Sequence, residues 1–251
     1  MRKLIFILLL FVSVRAFSQA NFYRIGLGFS GGLTTSYTGF TYGVNTDPNS
    51  GIYGYNAKKG LMTNRSTVIG GFLDYYFTPF ITGGIAYNVV ELKGGTDVYN
   101  RAFVSNFSSI EVMGNVAVGQ FIDFSYSPFL YAIRNVNAGI GIGFISGKNN
   151  VAEWTTTDFP RRMHENDIGK SKFNSVVALP ISIGYNINLY NAYQEVKFVV
   201  GFNYKTVFTT SDDLDGFADD PNMFQNNSKD VYTSLGISLK YLFGPTGLYF
   251  K

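Results

Sequence analysis

The stretch Asn135-Val136-Asn137-Ala138-Gly139-Ile140-Gly141-Ile142-Gly143-Phe144 decides the fold. Val136, Ala138, Ile140, Ile142 and Phe144 alternate without a break against Asn and Gly. A period of two is the spacing at which side chains point to opposite faces of a sheet, and it is incompatible with one face of a helix. One face of this strand is therefore apolar and bulky, and the other is small and polar.

The same pattern recurs on both sides of it, in eight runs: residues 22–30, 66–77, 81–90, 107–119, 131–146, 174–186, 195–206 and 230–243. In each, Ile, Leu, Val, Phe or Tyr stand opposite Gly, Ser, Asn and occasional charges. No segment shows a helical period. A soluble sandwich turns its apolar faces inward beneath a polar shell. A membrane barrel does the reverse, apolar toward lipid and small or polar toward a narrow lumen. The connections decide for the second. Residues 78–80 and 187–194 are short, whereas 31–65, 91–106, 147–173 and 209–229 are long, the alternation of periplasmic turns and outer loops. The connection 120–130 is longer than a tight turn. The expectation is an all-β chain forming a closed antiparallel up-and-down transmembrane β-barrel of eight strands, with ten as the alternative count.

Composition agrees and excludes other classes. The chain of 251 residues has 46% hydrophobic and 15% charged residues, 24 Phe, 18 Tyr, 28 Gly and no Cys. So much apolar material excludes disorder, and the missing Cys excludes disulfides and thiolate metal sites. The one long apolar run, residues 4–14, is too short for a membrane helix. Arg2 and Lys3 before it, and small residues at Ala16, Ser18 and Ala20 after it, have the layout of a secretory signal peptide. Residues 1–20 are expected to be that signal and residues 21–251 a single barrel domain. Three of the 20 basic residues lie in the signal, which leaves 17 against 17 acidic ones. A near-neutral chain lacks the basic footprint of a nucleic-acid partner. Aromatic residues gather beside the short turns: Tyr75, Tyr76, Phe77 and Phe80; Phe121, Phe124, Tyr126, Phe129 and Tyr131; Tyr185, Tyr190 and Tyr193; Tyr241 and Phe243. Such rings favour a membrane interface, so outer-membrane lipids are the first expected partner.

Alternation assigns eight charges to the lumen: Arg24, Asp74, Glu111, Glu195, Lys197, Lys205, Asp230 and Lys240, four of each sign. Buried charge is tolerated when paired, and balance suits a plugged lumen better than a selective pore, which would carry one sign in excess. Lys205 and Asp230 are expected near one another toward the outer ends of the last two strands, Glu195, Lys197 and Lys240 lower down, and Arg24 near Asp74. A small channel is the competing reading. Catalysis finds no constellation: the single His, His164, lies in a polar segment expected to be a loop, so no enzymatic activity and no cofactor are expected. Residues 211–222 (S-D-D-L-D-G-F-A-D-D-P-N) place Asp213, Asp215 and Gly216 as in a Ca²⁺ loop, with Asp219 and Asp220 near. Ser211 and Asn222 stand where an EF-hand needs acids, and an acid cluster without an ion is the favoured reading.

The signal ending F-S-Q (17–19), the strand and loop K-F-V-V-G-F-N-Y-K-T-V-F-T-T-S-D-D-L-D-G (197–216) and the closing V-Y-T-S-L-G-I-S-L-K-Y-L-F-G (231–244) resemble small outer-membrane barrels of Bacteroidota, of the OmpA/OmpX-like size. Together with the S-x-I-E motif at Ser108–Glu111, they resemble the PorG-like barrels associated with type IX secretion. The resemblance spans about residues 105–244. It implies an integral outer-membrane protein with a structural or accessory role beside other envelope or secretion-complex proteins; a cleaved signal, the even strand count and the loop alternation put both termini in the periplasm as an expectation. It carries over no catalytic residue. The contact surfaces it suggests are residues 120–130, 187–194 and the tail 245–251, with the long first connection, 31–65, as a further candidate.

Overall fold

A computed structural model describes residues 20–37, 66–94, 101–123, 127–153, 164–193, 195–211, 214 and 229–249. Eight antiparallel strands follow in chain order: β1 (Ala20–Tyr37), β2 (Ser66–Tyr76), β3 (Ile81–Gly94), β4 (Arg101–Ala117), β5 (Val136–Glu153), β6 (His164–Tyr190), β7 (Val196–Thr209) and β8 (Val231–Tyr249). Each pairs with its chain neighbours, and β1 also pairs with β8 from Ala20↔Tyr249 to Tyr37↔Val231, which closes the barrel. Closure at eight disposes of the ten-strand alternative. It also removes every sheet edge, as a backbone surrounded by lipid requires.

The expected alternation holds through the middle of all eight strands. Phe29 (71% exposed), Ile69 (70%) and Ile140 (66%) stand on the outer wall with Leu73, Ile85, Val112, Ile183, Phe202 and Ile237. Gly28, Gly70, Asn88, Glu111, Gly139, Gly201 and Ser238 face inward. Large apolar side chains exposed all round a barrel would be a severe liability in water. They are the ordinary surface of a barrel that spans a membrane.

Several boundaries depart from the sequence pattern, mostly on one side. β1, β3 and β5 run on past the alternating runs to Tyr37, Gly94 and Glu153, and β4 and β6 start earlier, at Arg101 and His164. The wall is therefore taller at the long-loop end than the roughly 9–11 residues a tilted spanning strand needs. His164 opens β6, where a loop was expected, and pairs with Glu153. The long connections shrink to residues 38–65, 95–100, 154–163 and 210–230. At the opposite end the turn after β6 is residues 191–195, so 187–190 belong to the strand. The supposed tail is also strand: β8 reaches Tyr249, and Tyr23, Phe22, Asn21 and Ala20 pair with Thr246 through Tyr249.

The β4–β5 connection is long because it is structured. A 3-10 turn (Val118–Gln120) precedes a one-and-a-half-turn helix, α1 (Pro128–Ile133), with Pro at its start. Tyr131 thus sits in a helix and not at the head of β5.

Candidate functional site

The densest polar network among the described residues lies in the lumen, and it is built in three storeys. Nearest the long loops, large apolar residues join buried polar ones such as Thr34, Ser36, Ser105 and Asn149 on the inward face: Val90, Leu92, Phe107, Ile145, Phe173, Val176, Ala178, Val207 and Tyr232 pack together with Leu214 from the β7–β8 loop. The Phe107 ring meets Tyr232 edge-on at 5.5 Å and Phe173 at 6.1 Å. This plug corrects the expectation of a small polar lining throughout. The raised part of the wall encloses a core like that of a water-soluble protein. The sequence carries a faint signal for it, because Val90 and Leu92 continue the inward parity of Ala86 and Asn88 with larger apolar residues.

Below the plug lies a cavity of about 190 Å³, lined among others by Asn88, Asn115, Asn137, Asn203 and Ser238. Two ion pairs cross it. Lys205 Nζ donates to Glu111 Oε2 at 2.8 Å, joining β7 to β4 through the interior. Glu111 is 1% exposed, and its other oxygen accepts from Ser109 Oγ at 2.8 Å, which in turn accepts from Asn88 Nδ2 at 3.2 Å. Lys240 on β8 pairs with Asp74 on β2 and donates to the Tyr76 phenol at 3.0 Å. The Lys240 ammonium also lies 5.3 Å from the Phe72 ring centroid, within cation–π range.

Inward glycines make room for these groups. A Cβ built at Gly84 would run into the Asp74 carboxylate, one at Gly70 into the Asn88 amide and one at Gly139 into the Asn115 amide. Each small residue on one strand receives a polar side chain from its neighbour, which explains why Gly dominates the inward face.

The third storey is the mouth at the end opposite the long loops. The Tyr23 phenol donates to Glu195 Oε2 at 2.8 Å, and Asn191 Nδ2 donates to the same oxygen at 3.0 Å. Asn191 Oδ1 accepts from the backbone N–H of Tyr193 and of Glu195, both at 2.9 Å, which fixes the tight turn. Lys197 Nζ sits 3.6 Å over the Tyr23 ring. The Tyr23 and Asn191 hydrogen bonds, helped by the Lys197 charge, hold the Glu195 carboxyl below the usual carboxylate range.

The eight predicted lumen charges are thus placed as follows. Asp74, Glu111, Lys205 and Lys240 form the two crossing pairs, and Glu195 with Lys197 guard the mouth. Lys205 pairs with Glu111 and Asp74 with Lys240. Asp230 is buried at the head of β8, where its Oδ2 accepts from the Leu214 N–H at 2.8 Å and its carbonyl accepts from Thr209 Oγ1 at 2.8 Å. It ties down the loop that delivers Leu214. Arg24 donates to the Tyr75 phenol at 2.8 Å, and Tyr75 faces outward. Beside Arg24 the register has a bulge: Tyr23↔Thr246 and Ile25↔Phe243 leave two residues of β8, Gly244 and Pro245, against one of β1. Gly244 has φ +86°, a conformation glycine adopts without strain. Tyr76 and Phe80, expected in the aromatic belt, face the cavity instead. Asp213, Asp215, Asp219 and Asp220, like Phe124, Tyr126, Arg161 and Arg162, lie outside the described residues. Among the described residues no group of acidic or His side chains is arranged to hold a metal ion.

No family model matches the chain, and no curated protein matches it in sequence. Among solved structures it is similar to Neisserial surface protein A, at 9% identity and TM-score 0.44, covering 87% of this chain and 97% of that one. It is also similar to Ail, the attachment invasion locus protein of Yersinia pestis, at 11% identity and TM-score 0.38, covering 88% and 99%. The outer membrane protease OmpT of Escherichia coli follows at 9% identity and TM-score 0.25, covering 91% and 98%. Likeness at this level concerns barrel fold alone.

Proposed function

We propose that this chain is an integral outer-membrane barrel with no catalytic role, which works as a non-conducting scaffold for other envelope components. The observation that carries the reading is the filled lumen. An apolar plug closes it toward the long loops, and balanced ion pairs cross the cavity beneath. An eight-stranded barrel has an interior just wide enough for its own side chains, so neither a folded cargo nor a hydrated solute has a free path. Contacts with partners then fall on the ends of the barrel. At the periplasmic end the turn 191–195 is held rigid by Asn191 and presents Tyr193, 85% exposed. With the PorG-like resemblance, this supports an accessory place in a secretion complex, with both termini in the periplasm and the four long connections outside.

Two experiments test this. Cys introduced at Asn49 should label with an impermeant reagent on intact cells, and Cys at Tyr193 should not; the opposite pattern overturns the orientation. Deleting the gene should impair cargo secretion or surface motility while bulk outer-membrane permeability stays nearly unchanged. Normal secretion with altered small-solute uptake would favour the channel reading instead.

A further inference from the structure

The described part of the β4–β5 connection, on the proposed periplasmic side, lies against the outside of the barrel wall. Helix α1 reads Pro-Phe-Leu-Tyr-Ala-Ile, with no charge and no buried residue. Phe129 is 68% and Tyr131 51% exposed, and Phe121 just before it is 77% exposed. The helix is fastened to the lipid-facing side of β6: the Tyr185 phenol donates to the Ala132 carbonyl at 3.0 Å, and Arg134 donates to the Tyr190 phenol at 2.9 Å. The Arg134 guanidinium also stacks 3.6 Å over the Tyr131 ring. Tyr185, Ile187 and Leu189 belong to the exposed outer belt. The apolar face of α1 therefore continues that belt at its periplasmic rim instead of projecting below the lumen.

We infer that α1 is a membrane foot: it lies in the interface of the periplasmic leaflet, with Phe129, Tyr131 and Phe121 among the upper acyl chains and Arg134 at the level of the headgroups. The inference rests on the reading that the barrel spans a membrane. Three features select lipid as the occupant over a protein partner. The face is continuous with the lipid-covered wall; it carries no charge of its own to give a protein partner specificity; and Arg134 offers its cation beside aromatic rings, the arrangement interfacial segments use. A short helix pinned by two phenols to the wall has a fixed height, so the foot sets how deep the barrel sits and keeps the β4–β5 connection away from partners that use the turn 191–195.

The test uses the full mature chain folded into phosphatidylcholine vesicles, with the single Trp removed by Trp154→Phe. Two single-Trp variants are compared: Phe129→Trp in the foot and Phe198→Trp on the outer wall of β7. An interfacial helix sits roughly 5–10 Å into the headgroup and acyl boundary, so lipids brominated near the top of the acyl chain should cut Phe129→Trp emission about two-fold. Its spectrum should be blue-shifted and its quenching by aqueous acrylamide weak. Quenching of Phe198→Trp but not of Phe129→Trp, with free acrylamide access to the latter, would overturn the foot while leaving the membrane reading intact. In that case protection of Phe129→Trp only in native membranes would assign the face to a protein. Failure of bromine to quench either variant would overturn the membrane reading itself.

Discussion

Replacing Lys205 by Met removes the cation from the Glu111 pair while keeping most of the stem that lines the cavity. Two unit charges 2.8 Å apart attract by about 6 kcal/mol at the effective dielectric of 20 that suits protein sites. Much of that attraction is offset by the cost of taking both groups out of water. Without Lys205 the offset remains and the attraction does not, because Glu111 is 1% exposed and keeps only Ser109 as a donor. Breaking one side of such a pair costs about 3–5 kcal/mol. The double variant Lys205→Met with Glu111→Gln removes both charges and leaves an amide that Ser109 and Asn88 can satisfy, so it should cost far less than Lys205→Met alone. Urea unfolding of the chain in lipid vesicles, followed as a double-mutant cycle, measures both. The predicted coupling is at least about 2 kcal/mol, in the upper part of the range for contacting residues. A Lys205→Met variant within about 0.5 kcal/mol of the wild type, the ordinary scatter of surface substitutions, would refute the crossing pair.

Further outcomes follow from neighbouring geometry. Gly84→Ala should destabilise by about 1–3 kcal/mol, the cost of overpacking, because its Cβ meets the Asp74 carboxylate; a neutral result in the same unfolding assay would contradict the packing. Ile140→Arg on the outer wall should cost about 2–4 kcal/mol if that position lies near the bilayer midplane, and no loss would mean that lipid does not cover it. Glu195, held low by Tyr23, Asn191 and Lys197, favours the fold while ionised. That contribution is present above the ordinary carboxylate value of 4.5 and fades as pH falls through the lowered native value. Tyr23→Phe removes the largest cause, so carbon NMR of labelled Glu should show the Glu195 titration midpoint rising toward that ordinary value. An unchanged midpoint would deny the Tyr23 hydrogen bond.

The strands were legible in the sequence because a lipid-facing wall demands a bulky apolar residue at every second position, and Ile140, Ile142 and Phe144 meet that demand without interruption. Strand ends at the long-loop side were not, since above the membrane the wall no longer needs the alternation: β6 begins at His164, in a stretch as polar as any loop. Which face a charge takes was largely legible, but its partner was not. Glu111 and Lys205 are 94 residues apart in sequence and meet only because closure sets β4 across the lumen from β7. The register breaks beside Arg24, where Gly244 and Pro245 of β8 stand against one residue of β1, a local irregularity that no count of alternating residues anticipates. The plug was half visible. Val90, Leu92, Phe107 and Ile145 share the inward parity, yet Leu214 joins them from a loop, through a hydrogen bond to Asp230 that only the folded chain reveals.

The central claim is that the lumen is closed, and recording from the purified full-length mature protein in a planar lipid bilayer tests it most directly. With the plug of Phe107, Phe173, Leu214 and Tyr232 above and the Glu111–Lys205 and Asp74–Lys240 pairs below, the predicted result is no stable conductance step under an applied voltage. A reproducible, long-lived conductance of porin size from the wild-type chain would contradict the account and establish a pore.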